Sequence, residues 1–358
     1  MVRCSQCVLS DATPQIVFDS AGVCNYCKSY EEFQYSGEPA LLEILEAHRD
    51  KTAKYDCLVT ISGGRDSTYT LWKLAVDYGM RVLAVNYQNP FTTPEGKANI
   101  ANAVSSLGVD LVQFGFPRRL HQRSLGHYLS AWLTKPSAAM VPMVCAACKL
   151  MWVVIPGIAR KHGISLIVSG GNPLEYTSFK KVSLGASGDL STEANIKDSY
   201  DKVIFGLLRE VLGNPAYLHP RYLTLTARGY LFATPYSIGS RIIGRGMERL
   251  DLFHFIKWDE DQIISTISSQ MGWNRRTDGP STWRTDCMVS CLKDAMYVKT
   301  MGMTEKDDFY SKMVRQGLVT REEGLERVAN EGVLEWELIE EVLHEVGMED
   351  ALGPLGGP

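Results

Sequence analysis

The stretch Cys57-Leu58-Val59-Thr60-Ile61-Ser62-Gly63-Gly64-Arg65-Asp66-Ser67-Thr68-Tyr69-Thr70-Leu71-Trp72 decides the fold. Its first five residues are an apolar run that reads as a buried strand. From Thr68 the pattern reads as a helix that continues to Tyr78. A glycine pair therefore sits where a strand turns into a helix N-terminus. Free backbone N–H groups and the positive end of the helix dipole meet there, which suits an anion such as a phosphate. Glycines let the backbone approach closely. Ser62, Ser67 and Thr68 add hydroxyl donors, and Asp66 adds a carboxylate that suits an oxygen-loving cation. The P-loop pattern, spaced glycines followed by Lys-Ser/Thr, is a different one.

Outward from this turn, strand and helix patterns alternate. Strands are expected at Cys57–Ile61, Arg81–Tyr87, Leu111–Gly115 and Ser165–Ser169, and helices at Thr68–Tyr78, Pro94–Leu107 and Ala147–His162. That alternation predicts a doubly wound parallel α/β sheet with helices on both faces. Ligands on such sheets bind beyond the carboxyl ends of the strands. Both Ser62-Gly63-Gly64 and Ser169-Gly170-Gly171-Asn172 fall at such ends. Residues 173–250 are expected to be helices with substrate-facing loops. Helical spacing returns after Trp258, and the Gly/Pro-rich tail from Gly353 reads as a flexible end.

With 358 residues the chain has room for two or three domains. The expected division is a cysteine module over 1–30, a helical connector over 31–54, the α/β domain over 55–250, and a helical region over 251–358. The net charge of −4 gives no global drive toward nucleic acid. No signal-peptide pattern or membrane-length apolar run is read from the sequence, so the expectation is a cytoplasmic protein without membrane attachment.

Nine cysteines in a reducing compartment argue for metal or redox chemistry rather than disulfides. Cys4-x-x-Cys7 and Cys24-x-x-Cys27 are sixteen residues apart, the spacing of a closed, structural four-thiolate zinc ribbon. Cys145-Ala146-Ala147-Cys148 stands at a predicted helix N-terminus, which lowers the pKa of at least one thiol. Together with Cys287 or Cys291 it offers three thiolates for an iron–sulfur cluster with one open iron, or for a second zinc. The plainer reading is that these are buried small residues.

The string Ser62-Gly63-Gly64-Arg65-Asp66-Ser67 resembles the SGGxDS signature of the PP-loop ATP pyrophosphatases. The resemblance implies that this loop grips the pyrophosphate of ATP, that Asp66 orients Mg²⁺, and that Arg65, where many members carry Lys, neutralises phosphate. It further implies that Val85 and Asn86 contact adenine through the backbone and that Gly170 and Gly171 lie near the phosphates. The opening Arg3-Cys4-Ser5-Gln6-Cys7, the Cys24-Asn25-Tyr26-Cys27 knuckle, the internal CxxC, Ile256-Lys257-Trp258-Asp259-Glu260 and Val314 to Glu323 are similar to the N-acetyl sugar amidotransferases of surface-polysaccharide and nonulosonic-acid biosynthesis, including lipopolysaccharide biosynthesis.

That family implies adenylation of an acetamido oxygen followed by displacement of AMP by ammonia, with ammonia supplied by a separate glutaminase. The acceptor would be a small sugar. A second reading is sulfur transfer, to tRNA or a small molecule, with a [4Fe–4S] cluster on Cys145, Cys148 and Cys287. A third is a non-catalytic nucleotide-binding adaptor.

Overall fold

The structure is a computed structural model, and it describes residues 2–185, 203, 205–232, 234–276 and 281–358. Five parallel strands form one sheet: β1 (Cys57–Thr60), β2 (Val82–Tyr87), β3 (Asp110–Phe114), β4 (Leu166–Ser169) and β5 (Glu248–Asp251). Their order is β3-β2-β1-β4-β5. β1 therefore neighbours β2 on one side and β4 on the other, and the order reverses between β1 and β4. That reversal opens a crevice at the carboxyl ends of β1 and β4, where both glycine turns lie.

Why these strands are central follows from their side chains. Cys57 and Val59 of β1, Val82 and Ala84 of β2, and Leu166 and Val168 of β4 face one layer. Leu58, Leu83, Val85 and Ile167 face the other. Both faces are apolar, as in a sheet covered on both sides. Each fully buried aliphatic side chain contributes roughly 1.5–3 kcal/mol. The first layer is closed by the helices Arg65–Trp72, Pro94–Leu107 and Glu260–Met271, and the second by Met151–Lys161. Pro94–Leu107 matches the sequence reading residue for residue. Thr93 caps it by accepting the Gly96 N–H at 3.1 Å, Pro94 opens it, and Gly108 closes it at φ +60°.

Three features differ from the sequence reading. β5 is an added strand in the segment expected to be helices and loops, and it crosses the expected boundary at 250/251. The expected 55–250 segment also includes residues 186–202, which lie outside the described ones. The tail is docked: a short helix at Leu352–Leu355 buries Leu355 against the C-terminal helices. A helical run over Ala138–Lys161 is long and apolar enough by length and composition to cross a membrane, and 56% of its apolar 18-residue window is buried inside the protein.

The ribbon and the C-terminal helices share apolar cores. Val8, Leu41, β1 and β2 share one core with Phe309, Met313 and Val328. A second core joins Cys4, Cys7 and Cys24 to Leu292, Met296 and Ile339.

Candidate active site and four-cysteine centre

A cavity of about 490 Å³ opens at the carboxyl ends of β1, β2 and β4. Ser62, Gly64, Arg65, Asp66, Ser67, Val85, Asn86, Cys145, Cys148, Gly170, Gly171 and Cys287 all line it. Residues spread over more than two hundred positions thus meet in one place.

The glycine turn is built to let its backbone face the cavity. Gly63 sits at φ +88°, and a Cβ there would lie 2.1 Å from the Gly96 carbonyl oxygen. Gly170 passes so close to the helix start that its Cβ would lie 2.8 Å from the Asp66 carbonyl oxygen. The Ser62 and Ser67 hydroxyls are 3.0 Å apart, and Ser67 Oγ donates to the Gly64 carbonyl at 3.1 Å. The turn is thus a fixed cradle in which the peptide N–H groups of the first helical turn have no intrahelical acceptor.

The Arg65 guanidinium lines the cavity and is also engaged by protein groups. It is 3% exposed and donates from Nη1 to Glu260 Oε1 at 2.7 Å and to Thr282 Oγ1 at 2.8 Å, and from Nε to Asp66 Oδ1 at 3.1 Å. It also lies 4.7 Å from the centre of the Trp258 ring. Nη1 and Nε are taken up by protein groups, so Arg65 joins the loop to the C-terminal helices, while Nη2 is buried with no hydrogen-bond partner, 3.7 Å from Glu175 Oε1, in a residue that lines the cavity. Glu260 is held below the usual carboxylate range: burial pushes it up, but the charges of Arg65 and Arg327 outweigh that.

Asp66 receives Trp258 Nε1–H at 3.0 Å besides Arg65, and Asn172 Nδ2–H at 3.4 Å. Burial pushes its carboxyl up to about 6 against the pull of Arg65, and the charge of Glu175 adds to the rise. Asp286 is likewise raised by burial, while a hydrogen bond with Ser62 opposes it. A cation shared by these carboxylates would return both to their ionised form, so the loop end of the cavity fits magnesium by its donor set.

Val85 and Asn86 lie on the cavity wall with hydrogen bonds already made. The Val85 carbonyl accepts Ile61 N–H at 3.0 Å, and Asn86 Nδ2 donates to the Ile61 carbonyl at 2.8 Å.

The segment Arg284–Met288 reaches this site from far along the chain. Thr93 N–H donates to the Asp286 carbonyl and Met288 N–H to the Phe91 carbonyl, at 3.1 and 3.0 Å. Asn89 Nδ2 donates to Cys287 Sγ at 3.3 Å. This seam sets Cys287 in the same cavity as Cys145 and Cys148. Cys291 is not with them; its thiol donates to Glu335 Oε1 at 3.7 Å, in a separate small cavity. Cys145, Cys148 and Cys287 are not drawn together within 4.8 Å, the closeness that one small ion would impose; a four-iron cluster holds its thiolates further apart. The lowered thiol expected of the CxxC is not found at Cys148. Burial raises it instead, and it pushes Cys287 up to about 12.

Several site residues escape sequence reasoning. Asp251, at the end of β5, accepts Gly171 N–H at 3.0 Å and Tyr236 O–H at 2.8 Å, and so fixes the second glycine turn. Arg284 and Lys293 also line the cavity, and Lys293 is pushed down to about 8 by burial and by Arg284. Adjacency to Cys287 is the one sequence signal that points to Asp286.

The N-terminal cysteines form their own centre. Four thiolates about 2.3 Å from one ion stand about 3.8 Å apart at tetrahedral corners. Cys4–Cys27 and Cys7–Cys24 are both 3.8 Å apart, and all four Sγ atoms lie within 4.8 Å of one another. Hydrogen bonds from the neighbouring thiols and the Arg315 charge hold Cys7 well below the ordinary thiol range. Arg315 donates to Cys27 Sγ at 3.3 Å and to Cys7 Sγ at 3.4 Å. Arg321 donates to the Cys4 carbonyl at 2.8 Å. The geometry fits a single ion bound as four thiolates, with Arg315 offsetting part of the negative charge.

No protein-family model matches the chain. Over 115 residues it is 27% identical to an uncharacterized protein of Methanocaldococcus jannaschii; the match covers 31% of this chain and 42% of that relative's length. Among solved structures it is similar to NMN synthetase from Francisella tularensis, with TM-score 0.37, 12% identity, and coverage of 88% of this chain and 93% of the other. It is also similar to the U34-tRNA thiolase of Methanococcus maripaludis, solved with its [4Fe-4S] cluster, with TM-score 0.35, 11% identity, and coverage of 92% and 89%.

Proposed function

We propose that the chain is a PP-loop ATP pyrophosphatase that activates an oxygen of its acceptor by AMP transfer. The observation that carries this reading is the cradle at Ser62–Ser67, open to a cavity whose loop end bears Asp66 and Asp286. The turn N–H groups and the Ser62 and Ser67 hydroxyls hold the pyrophosphate end of the nucleotide. Asp66 and Asp286 would hold magnesium, which neutralises charge on the departing pyrophosphate. The acceptor oxygen bonds to the α-phosphorus and the bond to pyrophosphate breaks. A nucleophile then displaces AMP.

For the nucleophile we favour ammonia and an N-acetyl sugar acceptor, on the sequence likeness to the amidotransferases. Adenylation turns the amide oxygen into a leaving group. Ammonia adds to the carbon, AMP departs with that oxygen, and loss of protons leaves an amidine. The ammonia would come from a separate glutaminase.

Sulfur transfer is the second reading, and one observation favours it: Cys145, Cys148 and Cys287 share the nucleotide cavity. These three would hold a [4Fe–4S] cluster, whose open iron would supply sulfide. At the N-terminal centre the ion we propose is zinc, in a structural role.

The test is incubation of the full chain with Mg·ATP and N-acetyl sugars, with ammonia or with sulfide, followed by nucleotide and product analysis. The proposal expects AMP and pyrophosphate, with product mass naming the nucleophile. ADP and phosphate, or no turnover with either nucleophile, would overturn it.

A further inference from the structure

Between Glu210 and Glu248 the sequence holds no Asp or Glu but four arginines, Arg221, Arg228, Arg241 and Arg245, in a chain whose net charge is −4. This segment contains two helices, Pro220–Leu231 and Ile238–Ile243. They abut: a Cβ on Gly239 would lie 2.6 Å from the Leu231 carbonyl oxygen. The inner face of the first is fixed to the body of the protein. Leu225 and Thr226 are buried, Thr226 Oγ1 is 2.8 Å from the Tyr128 hydroxyl, and Gly229 lies against Ala146 of the CxxC.

The outer faces are apolar where a solvated helix would be polar. On the first helix Leu223, Ala227 and Leu231 recur every four residues and are all exposed, so they form one stripe. Arg221, Thr224 and Arg228, also exposed, form the stripe beside it. On the second helix Ile238 and Ile242 stand four apart, and Ile242 is 71% exposed although its side-chain type is mostly buried in proteins. The exposed Arg241 and Arg245 flank them. Arg160 donates to the Ile243 carbonyl, which brings the exposed Arg160 and Lys161 to the same edge. Apolar side chains exposed singly need no explanation, but rows of them bordered by polar groups mark a docking surface.

We propose that this face docks on an anionic lipid surface. Leu223, Leu231, Ile238 and Ile242 enter the boundary between headgroups and acyl chains, and the arginines meet lipid phosphates, as in helices that lie in the plane of a membrane interface. Arginine stems run along apolar surface while the charged ends stay among the headgroups. A segment with arginines and no acidic residue complements a negative surface, and each arginine strengthens the attraction roughly fivefold. Both helices are too short to span a bilayer, so the contact is peripheral. It departs from the sequence expectation of a chain without membrane attachment. Thr234, Pro235 and Tyr236, in the connection between the two helices, line the nucleotide cavity, so the docking face adjoins the cavity wall.

The test is flotation of the full chain with vesicles of phosphatidylcholine, alone or mixed with phosphatidylglycerol. The wild type should float with the mixed vesicles and not with phosphatidylcholine alone, and added salt should release it. Arg228→Gln combined with Arg245→Gln should weaken binding about twenty-five-fold, from roughly fivefold for each arginine. Ile238→Ser combined with Ile242→Ser should weaken it by about tenfold or more. All four side chains are exposed, so both double variants should keep the wild-type circular dichroism and bind α,β-methylene-ATP within about threefold of wild type. No flotation of the wild type with mixed vesicles, or flotation unchanged in both double variants, would overturn the proposal. Without vesicle binding, a wild-type dimer that the isoleucine variant dissolves would assign the face to a second copy, and single-stranded RNA binding lost in the arginine variant would assign it to nucleic acid; either result overturns the lipid assignment.

Discussion

Replacing Arg65 with Met separates two roles for the cation of the loop. If the guanidinium faced only a phosphate, the substitution would weaken nucleotide binding and leave the fold alone. The structure predicts a loss of stability. Arg65 is 3% exposed and its charge is shared by Glu260 and Asp66. Removing one partner of a buried pair costs about 3–5 kcal/mol. Glu260 keeps Arg327 at 2.6 Å and Thr282 Oγ1 at 2.6 Å, which places the expected loss near the lower end, about 3 kcal/mol. Unfolding entropy of roughly 2.1 cal/mol/K per residue converts that loss to a fall in Tm of about 4 °C for a chain of 358 residues. Arg65→Lys keeps the charge but cannot make the fork to both carboxylates or lie flat on Trp258, so it should fall between the two. The assay is thermal unfolding followed by circular dichroism, paired with titration of α,β-methylene-ATP. An unchanged Tm together with a tenfold or greater loss of nucleotide affinity would refute the anchoring argument.

Further outcomes follow from other parts of the site. Gly63→Ala should cost about 1–3 kcal/mol from its positive φ alone, and more from the contact with the Gly96 carbonyl; loss of nucleotide binding by calorimetry checks it, and unaltered binding would remove the cradle from the site. Asp66 titrates near 6 in the folded chain against 3.8 as a free group, so the folded state holds the extra proton between those values. Its contribution to stability therefore falls as pH rises from about 4 to about 6. A bound cation needs the ionised form, so affinity for the magnesium–nucleotide complex should rise with pH through about 6 and then level off, with the rise smaller in Asp66→Asn, where Asp286 alone remains to titrate. Cys24→Ser should lose the N-terminal ion and lower the Tm while preserving nucleotide binding; metal analysis that still finds one zinc per chain would contradict the four-thiolate site. In anaerobically purified protein, about four iron and four sulfide per chain that disappear in Cys287→Ser and persist in Cys291→Ser would place a cluster in the cavity.

The sheet was legible where its strands are covered on both sides. β1, β2 and β4 read as apolar runs because both of their faces are buried, and β3 kept enough of that pattern at the edge. β5 was not legible: Glu248-Arg249-Leu250-Asp251 is mostly polar, and only pairing with β4 makes it a strand. The glycine cradle was readable for a local reason, since strand, turn and helix are contiguous. The partners of its charged residues were not. Arg65 meets Glu260 and Thr282, and Ser62 meets Asp286, across separations that no periodicity encodes. The same limit hid Asp251 and the Arg284–Lys293 wall. The tail misled because Gly353, Pro354 and Gly356 suggest a loose end, whereas Leu355 supplies the apolar contact that docks it.

The seam at Arg284–Met288 bears on how the chain is made. The loop at Ser62–Ser67 and the residues that complete its cavity are separated by some two hundred positions. At roughly 5–20 residues per second on the ribosome, the glycine turn waits about 10–45 s for Asp286 and Cys287 to be synthesised. During that interval β1 and β2 carry a half-built crevice, and Trp258, Glu260 and Trp283 have yet to cover Arg65. The N-terminal thiols wait longer still for Arg315 and Arg321. A nascent chain of this protein should therefore resist early compaction at its two functional centres, and stalling or truncation before Arg284 should yield a product that neither holds nucleotide nor closes its first thirty residues.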